Sequence, residues 1–182
     1  MASKLSKENL KNFLIFVISL NLLAIPLYIA IYFDFSIPAL QSLISYLVSK
    51  ILEFYGYKCL LFNNLIQIFK NSNSFFVYIS WDSTGWKSMY FIFSLILATP
   101  SISFKRKFEF IPIAIFIVFV GNLLRIFACS LILINLGENA FETVHSLLWA
   151  QGMIILVLTV WFLWLRVNSI KYRKMRRKHG RS

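Results

Sequence analysis

Three residues far apart in the sequence carry the side chains of an acyl-transfer site. Ser83 offers a hydroxyl, His145 an imidazole and Arg125 a guanidinium, the types used as nucleophile, proton carrier and oxyanion stabiliser. Arg125 is the least ordinary of the three. It lies inside the apolar run from Ile111 to Ile134. A charge at the centre of a membrane helix costs roughly 2.5–3.5 kcal/mol on insertion scales. A residue placed there at such a cost normally faces a bundle interior or a wet cavity and serves function.

Each residue also has a plainer reading. Ser83 follows Asp82 at a predicted helix start, where either would serve as N-cap. Arg125 could snorkel or pair with Glu142 as a structural lock. His145 could be a satisfied interfacial histidine. Cys129, four residues after Arg125 and on the same helical face, is either a rival nucleophile or a packing cysteine. Asn122 is one turn before Arg125, placed to orient it or a substrate backbone.

The elements that must position these residues are membrane helices. Hydrophobic residues make up 59% of 182 residues and the mean hydropathy is +0.72, too apolar for a soluble domain of this length. A first helix is expected from Phe13 to Phe33 and an amphipathic, interfacial one from Ala39 to Tyr55, which carries Lys50 and Glu53. Leu65–Phe69 and Phe75–Trp81 flank Lys70–Ser74 and read as a small β-hairpin, which must lie outside hydrocarbon or against protein. A third helix runs from the Asp82–Ser88 block to Ala98. A fourth runs from Phe108 to Leu136, with Pro112 in its first turns. The last runs from about Ala140 to Arg166. The expected fold is an all-α integral membrane bundle of about four to six helices with a small extracytoplasmic β-hairpin before the site helix. Residues 1–182 form a single polytopic membrane domain, with 166–182 as a basic cytoplasmic tail.

The formal charge of +12 is concentrated before the first helix, at Lys105–Lys107 and in the tail. The tail could be a nucleic-acid arm, but directly after a membrane helix it reads as a cytoplasmic anchor, so no nucleic acid is expected. With all three clusters cytoplasmic, both termini lie inside. Asp34, Glu53, Asp82, Glu138 and Glu142 then fall outside, in keeping with the positive-inside rule. Arg125 is about 14 residues beyond Ile111, where the apolar run begins, roughly 21 Å at 1.5 Å per residue, which puts it in the outer half. Ser83 and His145 then share that depth. Cys59 and Cys129 give neither a metal-binding spacing nor a disulfide framework, and no metal or cofactor is implied. The first apolar run is too long for a signal-peptide core and lacks a small-x-small cleavage site, so it is expected to remain as a span.

With these residues in view, the chain resembles the exosortase/archaeosortase family of membrane transpeptidases over roughly residues 38–166. Asp82-Ser-Thr-Gly-Trp-Lys-Ser88 is similar to the family block in which cysteine is followed by Ser or Thr and then Gly. Gly121-Asn-Leu-Leu-Arg-Ile126 resembles its Asn-x-x-Arg-Ile block, and His145 matches its third catalytic position. The short chain and the wording around Trp81–Lys87 lean towards the archaeal branch. The resemblance implies cleavage of a C-terminal sorting signal (motif, membrane helix, basic tail) on secreted proteins at the outer face of the cell membrane. A membrane lipid amine then acts as acyl acceptor. It assigns catalysis to position 83, Arg125 and His145, with Asp82, Thr84, Gly85, Lys87 and Asn122 around them. Ser83 stands where the family has cysteine, so the chain is either a serine version or an inactivated one. The near-isosteric exchange favours inactivation. The rivals are an intramembrane serine protease built on Ser83 and His145, and a non-enzymatic membrane subunit.

Overall fold

The computed structural model describes residues 2–71 and 73–179, with side chains described for 7–71, 73–148 and 151–168. Helix α1 (Ala2–Tyr32) is long and apolar, and its hydrophobic side chains are largely exposed. It begins well before the expected Phe13, because nothing in Ser3–Asn12 stops a helix. It leans on α3 (Trp86–Ala98), where Tyr90 donates through its hydroxyl to the Leu23 carbonyl at 2.7 Å. Phe16 stacks on Trp161, with ring centroids 5.6 Å apart.

Pro38 opens α2 (Pro38–Phe54), where its missing N–H matters least. Ile44, Val48 and Leu52, spaced by four, are fully buried, while Lys50 and Glu53 pair at 2.7 Å on the exposed side. The buried stripe lies on a three-stranded antiparallel sheet, β1 (Lys58–Phe62), β2 (Leu65–Lys70) and β3 (Asn73–Tyr78), in the order β1-β2-β3. Register pairs Leu61 with Ile66 and Ile66 with Val77, which puts the buried Ile66, Ile68 and Val77 on the face towards α2. The expected hairpin is therefore β2–β3, and it gains a third strand. Lys58–Phe62 was missed because Lys-Cys-Leu-Leu-Phe does not alternate in polarity. The left-handed Asn63 (φ 53°) then makes the tight return into β2.

Helix α4 (Phe104–Leu136) joins two cores. Ile111, Ala114 and Val118 pack with Ile92, Leu95 and Ile96 of α3 and with Met153, Val157 and Val160 of α6 (Met153–His179). Further along, Leu123, Ile126, Leu133 and Ile134 pack instead with α2 and the sheet. Asn122 and Arg125 sit where one core gives way to the other. Lys105–Lys107, expected before the helix, form its first turn, and Lys107 Nζ donates to the Leu97 carbonyl at the end of α3 (2.7 Å).

Gly137 (φ 84°) ends α4, and α5 (Glu138–Leu147) follows at once. The expected single last helix is divided by a π-helical turn at Leu148–Gly152, so His145 belongs to α5 rather than to the start of the final helix. The backbone of the basic tail continues α6 to His179, and its last three residues lie outside the described residues.

Candidate active site at the start of α3

Asp82–Thr84 forms a single 3-10 turn ahead of α3. Its buried Thr84 donates to the Trp81 carbonyl at 2.7 Å, and its hydroxyl in turn receives the Trp86 N–H at 3.4 Å. Gly85, not Asp82 or Ser83, is the N-cap of α3, and no side chain caps that helix. The plain capping reading of Ser83 is thereby overturned: the turn ends at Gly85, and Ser83 N–H bonds back to the Ser80 carbonyl.

Two facts require glycine at 85. Its φ of 76° is left-handed, and a Cβ there would lie 2.7 Å from Asn122 Cγ. The Asp82–Ser88 block and the Gly121–Ile126 block are thus interlocked, because the first can approach the second only without a side chain at 85. Behind this contact, the Ser83 carbonyl oxygen accepts two hydrogen bonds. Asn122 Nδ2 donates at 3.0 Å and Arg125 Nη2 at 3.1 Å. Asn122 and Arg125 are one turn apart on α4, and both are at least nine-tenths buried.

Arg125 has no carboxylate partner among the described residues, so the alternative reading of it as a lock with Glu142 is not met. The described ion pairs are Lys50–Glu53 and Lys87–Asp82, the second at 2.8 Å and half exposed. Arg125 Nε and Asn122 Oδ1 remain buried without a hydrogen-bond partner. Leaving such a group unpaired in the interior costs about 1–3 kcal/mol.

The Ser83 hydroxyl does not point to a histidine. Its Oγ lies 2.9 Å from Ser80 Oγ. The His145 ring stacks on Phe141, with centroids 5.3 Å apart, and among the described residues no hydrogen bond joins it to Ser83. His145 is nonetheless within electrostatic reach of Arg125. Burial, and secondarily the Arg125 charge, hold its pKa below the ordinary histidine value, which keeps the imidazole neutral near pH 7. Cys129 is buried on the Arg125 face of α4.

On the other side of the turn is a pocket of about 360 Å³ bounded by Asp34, Phe35, Ser80, Trp81, Trp86 and Lys87 together with the end of α1. Trp81 and Trp86 stack there at 5.3 Å. Ser80 and the stacking of these two tryptophans escaped the sequence reading. The available signal for Ser80 was its place three residues before Ser83, the spacing that a 3-10 turn eclipses.

Two helices are long and apolar enough to cross a bilayer, and a buried Asn–Arg pair is fastened to a hydroxyl-bearing turn. The family model for transmembrane exosortases (Exosortase_EpsH) matches residues 6–165, and the chain belongs to that family of membrane cysteine peptidases and transpeptidases. The match takes in α1, which the resemblance by motif left out because α1 carries no chemically distinctive residue. No curated protein and no solved structure matches the chain.

Proposed function

We propose that this chain is an archaeal-branch, sortase-like transpeptidase, with position 83 as the nucleophile site and the native cysteine function lost to Ser83. It forms a single polytopic membrane domain with both termini cytoplasmic, and the sheet and the site at the extracytoplasmic face. The substrate is a secreted protein ending in a recognition motif, a membrane helix and a basic tail. Family membership supports the substrate class. The observation that carries the residue assignment is the convergence of Asn122 and Arg125 on the Ser83 carbonyl, which brings the two sequence blocks into one buried place.

In the cysteine form, His145 takes the thiol proton and the thiolate attacks the scissile carbonyl carbon. The new C–S bond moves charge to oxygen, where Arg125 supplies the donor, its Nε being without a partner. Collapse breaks the C–N bond, and the leaving amine takes the proton from His145. A lipid amine then attacks the thioester, gives its proton to His145 and expels the thiolate. The secreted protein is left joined to lipid.

The serine-protease rival needs a general base held on the Ser83 hydroxyl, because an alcohol, unlike a thiol, is not ionised by its surroundings near neutral pH, and among the described residues that hydroxyl bonds Ser80 rather than His145. The non-enzymatic rival requires the Arg125–Glu142 lock, and Arg125 bonds the Ser83 carbonyl instead. Ser83→Cys, expressed with a tailed substrate, tests the proposal. Processing that appears only with the thiol supports it, and equal processing by serine and cysteine forms contradicts it.

A further inference from the structure

Ser80 and Ser83 face each other across one turn. Their hydroxyl oxygens are 2.9 Å apart, and Ser80 Oγ also accepts the Ser83 backbone N–H at 3.2 Å. The same N–H reaches the Ser80 carbonyl at 3.1 Å. Ser80 therefore holds both the backbone and the side chain of position 83, while forming part of the wall of the adjoining pocket.

We infer that Ser80 is a positioning residue for the side chain at 83 and, when that side chain is a thiolate, the hydroxyl that donates to it. The inference rests on the reading of position 83 as the nucleophile site. Hydrogen-bond accounting sets the direction. The Ser83 N–H occupies one lone pair of Ser80 Oγ and leaves its O–H free. A thiolate has no proton to give, so Ser80 must be the donor. A bond donated to the charged form stabilises it and lowers the thiol pKa. Arg125 Nη2 and Asn122 Nδ2 donate to the carbonyl of the same residue and not to its side chain. Lys87, the nearest lysine in sequence, is paired with Asp82.

The test uses the full chain in lipid nanodiscs, carrying Ser83→Cys alone or with Ser80→Ala, Ser80→Thr or Ser80→Val. Iodoacetamide alkylation at position 83 is followed against pH by mass spectrometry of that peptide, which separates it from Cys59 and Cys129. Loss of the hydroxyl should raise the alkylation midpoint by about one pH unit, an approximately tenfold loss of thiolate below the midpoint. Threonine should restore the midpoint and valine should not. These two are near-isosteric, so the comparison stands even if the alanine variant fails to fold. An unchanged midpoint in the alanine or valine variant, or threonine behaving as valine, overturns the role. The readout needs no substrate. Unchanged midpoints in a protein that cleaves remove Ser80 alone, and shifted midpoints in a protein that never cleaves remove the proposed function and leave Ser80 in place.

Discussion

The guanidinium of Arg125 donates to the backbone carbonyl of Ser83 at 3.1 Å, joining positions 42 residues apart. The contact is to the main chain, so it does not depend on which side chain occupies 83. Serine and cysteine forms are therefore expected to share this geometry. In the Ser83→Cys protein, Arg125→Ala should reduce cleavage by about 10²–10³-fold, the usual effect of losing an oxyanion donor. Membrane insertion should be retained. Arg125→Lys should not restore activity, because a point charge lacks the planar fork. A normal cleavage rate for Arg125→Ala would remove the oxyanion role.

Gly85→Ala should destabilise the fold by at least ~1–2 kcal/mol, the cost of a left-handed conformation with a side chain. The close approach to Asn122 adds to this. Pairing it with Asn122→Ala should recover part of the loss of thermal stability. Full additivity of the two changes would show that Gly85 and Asn122 do not oppose each other.

Cys129→Ala should leave cleavage by the Ser83→Cys protein unchanged, with stability lowered by about 1 kcal/mol for a buried small side chain. Complete loss of activity would move the nucleophile to α4.

The depressed pKa of His145 predicts a pH dependence of stability. In the unfolded chain the imidazole takes up a proton as pH falls below about 6.5, while the folded state resists protonation. Stability is therefore unaffected by this group above that pH and declines below it. His145→Gln should flatten the decline in melting temperature between neutral and mildly acidic pH. An identical pH profile in the variant would show that His145 titrates freely in the folded protein.

Much of this arrangement was legible in the residues. The four-residue spacing of Ile44, Val48 and Leu52 opposite Lys50 and Glu53 gave α2 its buried face, and the expense of a membrane arginine pointed to Arg125. The β2–β3 hairpin followed from two apolar runs around a polar turn. What failed has a common origin in tertiary context. β1 is recruited by β2 rather than by its own pattern, and nothing local announces a π-turn at Leu148–Gly152. Likewise, charge clusters could suggest a shared depth for Ser83 and Arg125, but not that the guanidinium would meet the carbonyl while the hydroxyl turned to Ser80. Such choices depend on rotamers set by packing.

The most direct measurement is mass spectrometry of the new C-terminus of a tailed substrate processed by the Ser83→Cys protein in native lipid. A C-terminal carbonyl in amide linkage to a membrane lipid amine is the predicted result. A free carboxylate, or an intact sorting signal, would contradict it.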